Sequence, residues 1–344
     1  MKRWKMSIEY VTTRLKAIRC RFPPEEALES IITADDYSTV SALLRDSVFG
    51  KSIRRQKNRS NIGGRHALLR SVDETRLNIL YKAAEIVRGS MPEVLEPLFS
   101  RVELEQVKDA LRFLHYGEPV YERRFRLLPI LRKDDWSLHW RSFGTLREYI
   151  AALEKYDNPF AEAIKPQEGK IKWEEMETLL EIYYFGKYLP SKRSMLGSAY
   201  DYFESQCDQV NVNRAFLLRV KHESDEPLEK YYIPGPGTIK FSNFAAMIAS
   251  PADDFRGHVE KVFNTELDAD VTRDSAIFSQ SLNRSLLYRH RVKAIVNPHT
   301  YLDILVFLDE LEVMISNIKL AINFKGAGMP YMKAADYFIS RKVA

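Results

Sequence analysis

The most regular pattern of apolar and polar positions in the chain runs from Tyr301 to Lys325. Six apolar side chains recur there at alternating spacings of four and three residues, the spacing of one helical face: Ile304, Leu308, Leu311, Ile315, Ile318 and Ile322. Polar side chains follow the same rhythm on another face: Asp309, Glu312, Ser316, Lys319 and Asn323. The pattern ends where Gly326 and Pro330 begin a turn. It predicts a helix with one buried face and one hydrated face.

Two polar residues, Glu310 and Asn317, lie on the flank between these faces, among apolar neighbours. A buried carboxylate or amide needs hydrogen-bond partners, so we expect both side chains to be paired if the fold buries them. These two residues are the first candidates for a site on this helix.

The same three-to-four spacing recurs along most of the chain, and alternating strand-like runs are scarce, which predicts an all-α fold. Comparison of the chain with itself indicates a weak repeat of roughly 100 residues. The repeated element is a pair of helices, predicted at 72–88 and 104–116, at 173–188 and 207–221, and at 271–296 and 301–325.

This repeat predicts three similar helical units, at about 1–120, 121–226 and 227–344. Each unit alone would bury its apolar faces poorly, so the three are expected to pack into a curved array with a concave surface that suits a partner. Asn213 and Asn317 fall at related places in the second and third units. We interpret them as structural amides that tie helices together within each unit.

Composition and charge narrow the classes of function. The chain has 344 residues and is 45% hydrophobic, enough for a large core, and its formal net charge of +5 is too small to indicate a nucleic-acid partner. Cys20 and Cys207 are far apart, so we expect free thiols in a reducing compartment. The first ten residues lack an apolar signal-peptide core, and no apolar run reaches the ~18 residues of a membrane span. We therefore expect a cytoplasmic protein whose membrane association is peripheral.

Motifs of enzyme chemistry are absent from the sequence. The acidic pairs Asp35-Asp36, Asp134-Asp135 and Asp253-Asp254 precede apolar helices, and we interpret them as helix caps rather than metal ligands. The glycine-containing segment Pro234–Gly237 matches no phosphate-binding loop and is predicted to be a turn. We expect no catalytic site, no cofactor, no metal site and no direct nucleotide binding.

The strongest charge feature is the segment from Lys51 to Arg65, KSIRRQKNRSNIGGR. Its composition fits either a solvated flexible loop or a contact with an anionic surface, a lipid headgroup or an acidic protein, through Arg54, Arg55, Lys57 and Arg59. Nucleic acid is the weaker interpretation, because no aromatic residues alternate with these cations to stack on bases.

Four short motifs occur in order along the chain: Tyr10–Ala17 with a Tyr-x3-Arg pattern, Asn213 and Arg219 as Asn-x5-Arg, the turn Tyr232–Gly237, and Asn317-Ile318 before Lys325. In this order, and over nearly the whole chain, they resemble the C subunit of archaeal and bacterial A/V-type ATPases, the equivalent of the d subunit in eukaryotic vacuolar ATPases.

The resemblance implies an all-α, funnel-shaped, non-catalytic socket seated on the cytoplasmic face of the membrane proteolipid ring. Its cavity would receive the central shaft subunits, so that torque passes between the ATP-driven shaft and the transport of protons or sodium through the ring. The residues alone leave two other functions open. One is a helical-repeat adaptor in another complex, and the other is a nucleic-acid-binding helical protein that uses the segment from Lys51 to Arg65.

Overall fold

The computed structural model describes residues 7–57, 64–116, 125–126, 140–141, 145–155, 158–165, 173–221, 227–267 and 274–339. The α-helices in these ranges are α1 (Ile8–Arg19), α2 (Glu26–Thr33), α3 (Tyr37–Leu44), α4 (Gly50–Lys57), α5 (Arg65–Ser90), α6 (Pro92–Tyr116), α7 (Leu146–Lys155), α8 (Ala161–Ile164), α9 (Trp173–Tyr183), α10 (Leu189–Ser191), α11 (Arg193–Leu196), α12 (Tyr200–Lys221), α13 (Phe241–Ala249), α14 (Ala252–Phe263), α15 (Ser275–Val296), α16 (Tyr301–Gly326) and α17 (Tyr331–Ala334). Most described residues are helical, which confirms the all-α prediction.

Shorter elements interrupt the α-helices. A π-helical turn, Tyr184–Tyr188, follows α9, and single 3-10 turns occur at Gly197–Ala199, Leu228–Lys230 and Ala335–Tyr337. The strands β1 (Phe125–Arg126) and β2 (Trp140–Arg141) form a two-residue antiparallel ladder. The sequence does not predict this ladder, because two residues are too few to show strand periodicity.

The chain divides into two compact modules. The middle module is the continuous segment Pro92–Val262, and the terminal module combines Met1–Met91 with Phe263–Ala344. The division into three units at 1–120, 121–226 and 227–344, and their funnel-shaped arrangement, stay predictions.

The helix predicted at 301–325 is α16, the central element of the terminal module, and all six residues of its apolar stripe are buried. Its N-terminus is capped by the Asp303 carboxylate, which accepts the backbone N–H of Thr300 at 3.1 Å. Helices α1, α2, α5 and α15 all pack on α16. Each buried Leu or Ile contributes about 1.5–3 kcal/mol relative to an exposed position, so α16 carries much of the core of this module.

The hydrated face predicted for α16 is only partly hydrated, because α5 packs against it. Arg76 of α5 donates from Nε to both carboxylate oxygens of Glu312 at 2.8 Å. Arg65 donates to the Asn323 side-chain oxygen at 3.0 and 3.1 Å, and Lys319 pairs with Asp73. The polar rhythm of α16 therefore marks a seam between two helices rather than an open surface.

One acidic pair shows the predicted capping. Asp36 precedes α3 and accepts the backbone N–H of Thr39 at 2.7 Å, and this hydrogen bond lowers the pKa of Asp36. Asp253 and Asp254 lie in the first turn of α14, where carboxylates complement the helix dipole. Asp134 and Asp135 lie outside the described residues.

Candidate functional site

Two asparagines form what we call amide clamps, in which one side chain bonds both the N–H and the C=O of a single isoleucine. Asn317 of α16 donates to the Ile339 carbonyl at 2.8 Å and accepts the Ile339 N–H at 3.1 Å. Asn211 of α12 does the same with Ile233, at 2.9 Å for both bonds. All four residues are buried. Each clamp therefore pins an extended segment of chain to the long helix that precedes it.

The structure places the amide that matches Asn317 at Asn211, two residues before Asn213. In both clamps the isoleucine follows its asparagine by 22 residues, whereas Asn213 is half-buried and lies nearer the C-terminus of α12. Because the repeat is weak, comparison of the helices alone does not distinguish Asn211 from Asn213 as the counterpart of Asn317. The shared separation of 22 residues between asparagine and isoleucine fixes the alignment at Asn211.

The turn Pro234–Gly237 packs directly on α12. Asp208 accepts the backbone N–H groups of Thr238 and Ile239, each at 2.9 Å, one helical turn before Asn211. A Cβ atom at Gly237 would lie 2.3 Å from the Asp208 carboxylate oxygen, and one at Gly235 would lie 2.8 Å from the Cys207 sulfur. The glycines are therefore needed for close approach. The positive-φ glycines of the described residues are instead Gly197 and Gly328.

A buried network of charges crosses the middle module between α6, α9 and α12. Lys108 lies 2.7 Å from one Glu181 oxygen, and Arg214 lies 2.6 Å from the other. Burial by itself would lower the pKa of Lys108, but the Glu105 and Glu181 carboxylates outweigh it and raise that pKa. Burial would raise the pKa of Glu105, but Lys108 and Arg101 outweigh it and lower that pKa. Lys108 and Glu105 therefore stay ionised at neutral pH, and the contacts of the network link the three helices.

The terminal module holds a smaller cluster around Glu310. Its carboxylate, which is 1% exposed, lies 2.6 Å from Nε of Arg291 and 2.7 Å from Nε of Arg19. Arg19 and Arg291 are therefore the partners that a buried carboxylate at position 310 needs. Because both neighbours are arginines, the carboxylate is an electrostatic link between α1, α15 and α16.

The basic segment is helical up to Lys57. Buried Ser52 and Ile53 anchor α4, which leaves the side chains of Arg54 and Arg55 exposed, and Arg55 lies 3.5 Å from Glu74 of α5. Lys57 is the last residue of α4, and Arg59 lies outside the described residues. The description as a flexible loop is therefore wrong for residues 51–57, because the buried pair ties this helix to the core.

Both cysteines are free thiols, with Cys20 exposed and Cys207 buried. Burial raises the pKa of Cys207 to about 12, so this side chain is a neutral thiol at pH 7. Among the described residues, His, Cys, Asp and Glu form no group of three or more with the geometry of a metal site.

These features define an all-helical protein in which buried polar contacts hold long helices in place. A model of the ATP synthase (C/AC39) subunit family matches residues 11–337. The chain therefore belongs to this family, which confirms the resemblance to the C subunit of A/V-type ATPases and makes the protein a component of a rotary ATPase complex. No curated protein matches the sequence significantly. In the part of the chain that the structure describes, no helix has the length and apolar character needed to cross a membrane.

Proposed function

We propose that this protein is the non-catalytic central-stalk subunit of a V-type or A-type ATPase or ATP synthase, a socket that links the central shaft to the membrane proteolipid ring. In that position it transmits torque between ATP chemistry and the transport of protons or sodium. The observation that carries the proposal is the family match over residues 11–337.

The internal contacts of each module suit such a role. A part that transmits torque must hold its shape under load, and satisfied buried polar networks rigidify a fold and specify one packing. The middle module has the Lys108–Glu181–Arg214 network and the Asn211 clamp, and the terminal module has the Glu310 cluster and the Asn317 clamp. These contacts support a rigid scaffold.

The same proposal assigns the protein to the cytoplasmic face of the membrane, as a peripheral member of the complex. Helix α4 supports this assignment, because it is anchored to the core and exposes Arg54, and Arg55 beside it is half exposed with only a long 3.5 Å contact to Glu74. Lys57 and Arg59 extend the same run of cations along the sequence. Contact with lipid headgroups or an acidic protein at this helix would be sensitive to salt.

The test is reconstitution with the shaft subunits of a rotary ATPase from the same source. We expect a complex that survives gel filtration at moderate salt and that binds detergent-solubilised proteolipid ring. Separate elution of protein and shaft at every salt concentration would overturn the socket role. A salt-sensitive gel shift of RNA, without shaft binding, would support the nucleic-acid alternative instead.

The α4 contact has its own test with vesicles that contain anionic phospholipid. The double variant Arg54→Ala and Arg55→Ala is expected to weaken sedimentation with these vesicles at low salt. The matched control changes two other exposed cations, Lys165→Ala and Lys187→Ala. Equal loss in both double variants would show that only total charge matters, which contradicts a contact located at α4.

A further inference from the structure

Helix α15 carries an exposed apolar stripe along its last three turns. Four side chains make up this α15 stripe: Tyr288 at 46%, Val292 at 38%, Ile295 at 69% and Val296 at 71% exposure. Their spacing of four, seven and eight residues from Tyr288 puts them within an arc of about 100° on one side of the helix. The opposite side is buried through Leu286, Leu287 and Ala294. The helix therefore packs on the core with one face and presents a second apolar face outward.

The charge of α15 is entirely positive. Its 22 residues contain Arg284, Arg289, Arg291 and Lys293 and no aspartate or glutamate. Arg291 is buried against Glu310. Arg284 lies one turn before Tyr288 and donates to the Phe338 carbonyl at 2.8 Å. Arg289 donates to the Phe263 carbonyl at 3.2 Å. These bonds to neutral carbonyls leave the guanidinium charges in place, and Arg289 and Lys293 follow one edge of the stripe. An apolar strip flanked by cations is complementary to a helix that has an apolar strip flanked by carboxylates.

We propose that the α15 stripe is a docking surface for an acidic amphipathic helix of a partner protein. Anchors at i, i+4, i+7 and i+8 are the spacing with which one helix lies along another. A second copy of this chain is disfavoured as the occupant, because it would bring the same cations against those of the first copy. A lipid surface is disfavoured because the stripe is narrow and lacks the exposed Trp, Phe or Leu typical of helices that lie in a membrane interface. The inference does not rest on the socket role, since any complex could supply such a helix.

The probe for this surface is a synthetic three-heptad peptide with leucine at positions a and d and glutamate at e and g. A control peptide of the same length carries lysine instead of glutamate at positions e and g. Fluorescence anisotropy of the labelled peptides with the full-length protein is expected to show binding of the acidic peptide alone. We expect Val292→Glu and Ile295→Glu each to weaken this binding about tenfold or more. The matched control is Met332→Glu, since Met332 is 82% exposed and lies outside the stripe.

The results of these measurements distinguish three possible occupants of the α15 stripe: a partner helix, a lipid surface and a second copy of the chain. Binding of the acidic peptide that Ile295→Glu weakens and Met332→Glu does not, with unchanged circular dichroism and melting temperature, supports the proposal. No binding, equal binding of both peptides, or binding that Ile295→Glu leaves unchanged overturns it. Loss of vesicle binding on Ile295→Glu without any peptide binding would overturn it in favour of lipid. A dimer in sedimentation velocity that Ile295→Glu dissociates would overturn it in favour of a second copy.

Discussion

At the scale of single residues, the amide clamps replace backbone hydrogen bonds that neither a helix nor a sheet provides. Ile233 and Ile339 lie outside the helices with buried backbone groups, and an asparagine side chain is an uncharged group that both donates and accepts in the required geometry. Asn317 therefore looks like a site in the sequence but acts as a structural connector. The distinction depends on its partners, which are backbone atoms 22 residues away.

Asn317→Leu is expected to destabilise the terminal module. The variant keeps the volume but leaves the N–H and C=O of Ile339 unsatisfied in the core, at a cost of about 1–3 kcal/mol for each group. Asn211→Leu should have a similar effect in the middle module, and Asn213→Leu should cost much less. Chemical denaturation followed by circular dichroism measures the three variants side by side. An Asn317→Leu protein as stable as the wild type would show that the clamp contributes nothing.

At the scale of elements, the sequence predicts helices well and their surroundings poorly. The buried stripe of α16 follows from its spacing alone, because a helix has a fixed period. Which neighbour covers the polar face does not follow, since Arg76 and Asp73 are more than 230 positions away from their partners on α16.

The sequence locates the Pro234–Gly237 turn correctly but not the reason for its glycines. That reason lies in Asp208, and the only signal in the sequence is the Asp-x-x-Asn spacing of Asp208 and Asn211.

Gly237→Ala tests the close approach of the turn to α12. The added Cβ would lie 2.3 Å from the Asp208 carboxylate oxygen, so either the turn or the carboxylate must move. Overpacking of this kind costs about 1–3 kcal/mol. Gly89→Ala is the control, because no atom lies within 4 Å of its added Cβ and alanine favours the helix by about 0.5–1 kcal/mol. The melting temperature should therefore fall for Gly237→Ala and rise for Gly89→Ala. A change of the melting temperature in the same direction for both variants would contradict the packing argument.

The network between α6, α9 and α12 predicts how stability depends on pH. The folded-state pKa of Glu105 is lowered below 4.5, so its contribution is complete above that pH and is lost as the pH falls through the lower folded value. The folded-state pKa of Lys108 is raised above 10.5, so its contribution is lost only as the pH rises through that higher value. Glu105→Gln should therefore lower the melting temperature at pH 7 and flatten its decline below about pH 5. Parallel melting curves for variant and wild type across the acid range would rule out this role for Glu105.

At the scale of the whole molecule, helices from the two ends of the chain belong to the same module, although they are far apart in the sequence. Helices α1, α2 and α5 from the N-terminal segment pack on α16 from the C-terminal segment, and the Thr12 hydroxyl lies 3.0 Å from Nδ1 of His299. A repeat found by comparing a chain with itself describes which elements resemble one another. It carries no information on which elements pack together across more than 200 residues, so it could not predict that the two ends share one module.

The three-unit repeat and the two compact modules make opposite predictions about which fragments of the chain fold on their own. The middle module, Pro92–Val262, is one continuous segment with its own core, so this fragment is expected to be helical and to melt cooperatively. Residues 1–91 alone should be largely unfolded, because α16 buries the apolar faces of α1, α2 and α5, and co-expression with residues 263–344 should restore a folded complex. The fragments 1–120, 121–226 and 227–344 are the comparison set. If these three fold independently and Pro92–Val262 does not, then the repeat marks the folding units and the grouping of the two chain ends reflects packing alone.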